Sequence, residues 1–306
     1  MNIITSMEKA GPLVLALGTF DGVHLGHQRL IREGKRLSAE KGARLRVCTF
    51  DRHPLEVLRP EAVPGLLTVG TEQAERMAAC GVDELQILPF TRETAETEPE
   101  AFLKKLRGMC DLQAVVAGWN YSFGRRGRGN AAMLEKDGKT AGYTVHIVPP
   151  VRTEAGEIIS SSAIREKLLQ GKAEEARDML GIPYAICGQV VNGKHEGSRI
   201  GFPTANIQTD GRKQLPAFGV YVCTLRSGGQ SWPAVVNIGL QPTIPSGQIT
   251  VEAHALHAEM NLYGQEARVE LLHHLRGEIH FPDVKALIHQ IRADLRDAER
   301  WFAHHS

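Results

Sequence analysis

The stretch Gly18-Thr19-Phe20-Asp21-Gly22-Val23-His24-Leu25-Gly26-His27 follows the apolar run Leu13-Val14-Leu15-Ala16-Leu17. An unbroken apolar run of that length fits a parallel strand buried on both faces. Beyond it, Leu25, Leu30, Ile31 and Leu37 are spaced to share one face of a helix. Strand, glycine-rich turn and helix start, in that order, make the place where α/β proteins bind phosphate. Gly18, Gly22 and Gly26 let the backbone approach an anion closely. His24 and His27 stand one helical turn apart and face the same spot. The spacing is neither the dinucleotide fingerprint nor the P-loop. Two plainer readings stand beside this one. The histidines could hold a metal, which needs a third ligand that nothing nearby obviously supplies, or they could simply solvate a helix start.

Working outward, strand-like and helix-like runs alternate from Leu13 to about Val148. Strands are expected at Leu45–Phe50, Leu85–Leu88, Ala114–Ala117 and Thr144–Val148, with helices over Thr71–Cys80 and Glu98–Met109. Such alternation implies a parallel sheet with right-handed crossovers and ligands at the carboxyl ends of its strands. Three clusters fall at those ends: Phe50–Pro54, containing His53; Gly118–Gly127, containing Asn120; and Ile159–Arg165. Ser161 or Ser162 can cap the helix that opens there. Arg165 in its first turn opposes the helix dipole, which makes sense if a phosphate sits between them and is otherwise a solvated surface arginine.

The pattern changes near Leu180-Gly181-Ile182-Pro183, where Gly and Pro end a helix over Ala173–Leu180. Tyr184–Val191, Tyr221–Leu225, Ala234–Asn237, Thr250–Leu256 and Arg268–Leu272 then read as short strands of a small antiparallel barrel. Val284, Leu287, Ile288, Ile291, Leu295, Ala298 and Phe302 form the apolar stripe of a closing helix. Between the first two strands, Gly193, Gly197 and Gly201 permit a flexible loop over phosphates, and Pro203 stiffens the approach to Thr204 and Asn206. Thr204 and Asn206 can offer two neutral oxygens to one hard cation such as Mg²⁺.

Composition narrows the function classes. With 306 residues the chain can hold two domains with separate cores. A net charge of +1 gives no general attraction to nucleic acid or an acidic membrane. The five scattered cysteines contain no Cys-x-x-Cys pair and fit reduced thiols of the cytoplasm. Met1–Lys9 has no signal-peptide character, and no apolar run approaches the ~20 residues of a membrane span. His273-His274 and His304-His305 are expected at the solvated surface.

The decapeptide Gly18–His27 resembles the signature of the bacterial FAD synthetase family, and Gly201-Phe202-Pro203-Thr204-Ala205-Asn206-Ile207 is similar to the riboflavin kinase signature almost verbatim. The similarity continues through Leu215-Pro216, Gly219-Val220-Tyr221, Asn237-Ile238-Gly239, Pro242-Thr243, Val251-Glu252 and Leu262-Tyr263-Gly264, so it runs from Leu15 to the last helix. It implies a Rossmann-like nucleotidyltransferase domain over 1–182 and a riboflavin kinase β-barrel with a C-terminal helix over 183–306. The implied activities convert riboflavin to FMN and FMN to FAD, with ATP as co-substrate, Mg²⁺ as cofactor and flavoenzymes as recipients of FAD. The resemblance makes His53, Asn120 and Arg165 part of the nucleotide and flavin site and points to Glu252 as the kinase base. Chemistry alone would equally allow Glu270. Phe20, Asp21 and the backbone of Gly18–Gly22 would shape the ATP pocket.

The chain departs from the family at several positions. Asn120 stands where aspartate is usual, Arg52 for proline, Ser162 for threonine, Lys194 for an acidic residue, and Ser198 for an arginine, with Arg199 beside it. Two rivals stand beside the bifunctional reading: a kinase whose first domain only binds nucleotide, and a flavin sensor without catalysis. The oligomeric state is left open.

Overall fold

The computed structural model describes residues 1–4, 10–193, 196–240, 249–258 and 261–305. Lys194, Pro242 and Thr243, each singled out above, lie outside them. By its contacts the chain divides into two compact units, Met1–Ser161 and Ser162–Ser306.

The first unit is a six-stranded parallel sheet. Its strands are β1 (Asn2–Ile4), β2 (Ala10–Leu17), β3 (Arg44–Phe50), β4 (Glu84–Leu88), β5 (Cys110–Gly118) and β6 (Thr144–Val148), ordered β1-β4-β3-β2-β5-β6. β2 is central, and its side chains alternate between two cores. Val14 and Ala16 pack with Leu30, Ile31 and Leu37 of the helix Leu25–Lys41. Leu13, Leu15 and Leu17 pack with Leu103, Leu106 and Leu134 on the other side. That double burial is why the run carries no polar alternation. The chain order reverses at β2, so the switch-point crevice opens between the carboxyl ends of β2 and β5.

The sequence reading missed β1 and the helix Ala131–Ala141. β1 is three residues long and, among the described residues, pairs with β4 alone, too short to show a period. A buried ion pair braces that edge: Arg46 donates to Glu84 at 2.7 Å and to Gln86 at 3.1 Å, and the Gln86 amide reaches the Ile4 carbonyl.

The second unit is a closed antiparallel barrel, β7 (Tyr184–Val191), β8 (Ala205–Thr209), β9 (Gly219–Ser227), β10 (Gln230–Leu240), β11 (Ile249–Ala255) and β12 (Glu266–Gly277), in the order β10-β11-β8-β7-β12-β9. Contacts group the helices Ser161–Leu169 (beyond its first residue) and Ala173–Leu180 with it. The helix Val284–His305 lays Leu295, Ala298, Trp301 and Phe302 on Val220, Val222 and Val235. The expected stripe is not buried along its whole length: Val284 is exposed, and Asp294 is buried within the stripe because Arg276 forks onto its carboxylate at 2.8 and 3.0 Å.

The expectation for His273-His274 is corrected. His273 pairs with Glu174, and His274 packs on Tyr221 with ring centroids 4.6 Å apart. A β-carbon at Gly171 or Gly219 would stand 2.9 Å from the His274 ring. Irregular register on both sides of His273 and His274 turns them off the simple alternation.

Candidate active sites

In the first unit the loop after β2 is held from below and from both sides. The Asp21 carboxylate accepts hydrogen bonds from Leu67 N at 2.9 Å and Thr68 N at 3.0 Å. Thr68 returns through its hydroxyl, which accepts from Gly22 N at 3.1 Å. Gln73 Nε2 and Thr49 Oγ1 donate to the Thr19 carbonyl at 2.9 and 3.0 Å. Ser161 Oγ donates to the Asp21 carbonyl at 2.9 Å, so this hydroxyl ties the loop rather than capping its own helix. The fastening maintains an unfavourable backbone: Phe20 and Val23 both have positive φ, 54° and 41°. Such residues persist only where surroundings over-determine them, typically at binding sites. Asp21 therefore acts on the loop's shape, with its carboxylate turned to the protein.

His24 caps the helix Leu25–Lys41, its Nδ1 accepting from His27 N, which leaves the ring proton of the neutral form on Nε2. The His24 and His27 rings stack at 3.7 Å with 20° between planes. Gly26 makes room, since a β-carbon there would lie 3.0 Å from the His24 ring. Burial first, then His24 and Arg76, hold His27 well below the ordinary histidine pKa. Its buried Nδ1 has no hydrogen-bond partner among the described residues. Two stacked imidazoles cannot both charge cheaply, and an orphaned buried nitrogen is costly. An anion placed against them resolves both conditions.

His53 and Asn120 follow strands of this sheet, whereas Ser162 and Arg165 belong to the second unit by their contacts. His53 follows β3, its Nδ1 accepting from Leu55 N at 3.2 Å. Asn120 follows β5 and is exposed beside Trp119, itself 49% exposed. Ser162 is exposed and Arg165 part-buried on the helix Ser161–Leu169. Sequence reasoning missed Leu67, Thr68 and Gln73, whose signal is weak because a Thr or a Gln in a loop or helix start has no special pattern.

In the second unit the site lies on the outer face of the barrel. Along β11, Val251, Ala253 and Ala255 are buried inward, so Glu252 and His254 point outward. Glu252 stands directly opposite Asn206 on β8 and Asn237 on β10. Two of the loop glycines are explained by close approach. A β-carbon on Gly193 would lie 2.3 Å from the Asn206 amide, and one on Gly197 2.4 Å from the Phe202 carbonyl and 3.4 Å from Thr204 Oγ1. Gly201 has φ of 89°, a backbone suited to glycine. His254 Nδ1 bonds the Pro203 carbonyl at 2.7 Å, fixing the turn into Thr204. Glu270 is elsewhere: it is on β12, where Arg226 donates to it at 3.0 Å. Thr204 and Asn206 offer two neutral oxygens that suit Mg²⁺ shared with phosphate oxygens, and the Glu252 carboxylate stands beside them opposite Asn206. The side chain of Ser198 is not among those described.

Comparison with known proteins decides which family this is. A family model for FAD synthetase matches residues 6–163 and one for riboflavin kinase matches residues 180–302. A bifunctional riboflavin kinase/FMN adenylyltransferase of Listeria monocytogenes is 37% identical over 95% of this chain and 92% of its own. The protein of the same description from Bacillus subtilis is 34% identical over 97% and 94%. The chain belongs to the bifunctional riboflavin kinase/FMN adenylyltransferase family. A crystal structure described as a macrolide-efflux protein from Streptococcus pneumoniae superposes with a TM-score of 0.87, 30% identity and 98% coverage of both chains. Among the described residues of this family member, no helix is long and apolar enough to cross a membrane.

Proposed function

We infer that this chain makes FAD in two steps, phosphorylating riboflavin to FMN in the barrel unit and adenylylating FMN in the parallel-sheet unit. The observation that carries this is the two family models in series along one chain, matched by bifunctional relatives over nearly its full length. ATP is the phosphoryl and adenylyl donor in this reading. The rivals, a kinase with an idle first domain or a non-catalytic sensor, have no structural observation in their favour.

In the kinase step the riboflavin 5′-hydroxyl oxygen attacks the γ-phosphorus of ATP and ADP leaves. Glu252 accepts the hydroxyl proton, because a neutral nucleophile gains from a positioned carboxylate. Glu252 is preferred to Glu270 for its place opposite Asn206, whereas Glu270 is engaged by Arg226. Thr204 and Asn206 would hold Mg²⁺, which would supply positive charge to the phosphates of ATP. Gly193 and Gly197 let the loop pass close to Asn206 and Thr204, and Gly201 and Pro203 shape its return into β8.

In the adenylyl step an FMN phosphate oxygen attacks the α-phosphorus of ATP and pyrophosphate leaves. The nucleophile is already anionic, so the chain's task is to hold two polyanions together and stabilise the leaving group. His24, His27 and the helix start receive the triphosphate, Arg165 neutralises developing charge, and Gly18, Phe20, Gly22 and Gly26 set the loop's path. His53, Asn120, Ser161 and Ser162 line the flavin and nucleotide crevice. Incubation with riboflavin, ATP and Mg²⁺, with FMN and FAD separated by chromatography, tests the reading. Both products are expected; FMN alone would reduce the first unit to a binding module, and neither would overturn the assignment.

A further inference from the structure

The helix Glu72–Ala79 does more than support the loop after β2. Gln73 on it bonds the Thr19 carbonyl at 2.9 Å. Arg76 lies three residues further on, on the same helical face. It is part-buried, and its charge reaches His27. The surroundings of His27 are therefore unusual. A stacked imidazole at 3.7 Å, a guanidinium and a low-dielectric setting act on a ring whose buried Nδ1 has no hydrogen-bond partner among the described residues. All three disfavour a positive charge on the ring, and an anion placed between the ring and the guanidinium would offset their repulsion. Guanidinium is the group suited to binding two phosphate oxygens at once.

We propose that Arg76 is a further phosphate-binding residue of the adenylyl-transfer site, placed by the Gln73–Thr19 contact to grip, with His27, the pyrophosphate portion of ATP. This rests on the reading of the first unit as the adenylyltransferase. The motif Gly18–His27 gives no hint of it, because Arg76 lies about fifty residues away and belongs to an amphipathic helix whose charges look like ordinary solvated surface.

The test uses the full chain with inorganic pyrophosphate as the probe and the ring signals of His27 as the readout. In the parent protein, pyrophosphate should saturate and move the His27 titration midpoint upward. Arg76→Met should weaken that saturation by about tenfold or more, the effect of losing a charge-assisted hydrogen bond, and should raise the midpoint of the free protein because a neighbouring cation has gone. Arg76→Lys should restore the free-protein midpoint and only part of the affinity. The KM for ATP in FAD formation should rise with Arg76→Met, while FMN formation, made in the other unit, stays at the parental rate and reports an intact fold. Pyrophosphate affinity within twofold of the parent in Arg76→Met overturns the proposal, whatever the midpoint does. A parent protein that makes no FAD yet shows the Arg76-dependent pyrophosphate response overturns the adenylyltransferase reading instead, and leaves Arg76 as the anion ligand of a binding module.

Discussion

Two single residues separate the activities most sharply. Only the kinase step deprotonates a neutral hydroxyl, so Glu252→Gln should lower FMN formation by about 10²–10⁴-fold and leave FAD formation from supplied FMN nearly intact. Retention of kinase turnover within a few-fold would move the role to another carboxylate. His27→Ala should do the reverse, abolishing FAD and letting FMN accumulate, since a lost transition-state contact to phosphate costs roughly 2–4 kcal/mol. His27 also sets a pH dependence. Its folded pKa lies below the unfolded value of about 6.5, so below that pH the unfolded chain takes up a proton that the folded one refuses. Its contribution to stability is full above the unfolded value and is lost as pH falls from there toward the folded pKa. In melting curves at pH 8 and pH 5, His27→Asn should therefore lose less stability on acidification than the parent. An equal acid loss in both proteins would remove His27 from that account.

Elements carry what residues cannot. In the barrel, strands β8 and β11 fix Asn206 opposite Glu252, and Gly193 and Gly197 permit close approach to Asn206 and Phe202. Gly193→Ala places a methyl 2.3 Å from the Asn206 amide, a short side chain with little room to yield. It should raise the Mg²⁺ concentration needed for FMN formation and leave FAD formation from FMN alone. Unchanged Mg²⁺ dependence would separate Asn206 from the metal. At the sheet edge, Glu84→Ala would leave the Arg46 guanidinium in the interior without its counter-charge, held only by Gln86 among the described residues, both members of the pair being 4% exposed. Breaking a buried pair from one side costs about 3–5 kcal/mol, which a denaturant titration of the first unit would read directly. A loss under 1 kcal/mol would show that water reaches Arg46.

At the scale of the molecule, each unit has its own core and its own phosphate chemistry. The sheet's two cores lie on opposite faces of β2, and the barrel is covered by the helix Val284–His305. Domains with separate cores respond separately to mutation. The Glu84→Ala variant should accordingly keep barrel-based FMN formation at temperatures where its FAD formation has gone. Simultaneous loss of the two activities on heating would mean that the units melt as one.

Much of this was determined by local sequence. The run Leu13–Leu17, the decapeptide ending at His27 and the heptapeptide Gly201–Ile207 are each legible from their own residues, because backbone preference and spacing mark them as strand, phosphate-type turn and glycine-proline loop. The alternation of strands and helices likewise gave the parallel sheet, and the turn-punctuated strands gave the barrel. Tertiary structure alone decided the partners brought from afar. Thr68 and Gln73 fasten a loop some fifty residues earlier, and barrel closure sets Glu252 against Asn206 while leaving Glu270 to Arg226. Irregular register, invisible in composition, folds His274 onto Tyr221 rather than into water. Those choices depend on register and long-range packing, whose energies arise only when the distant segments meet.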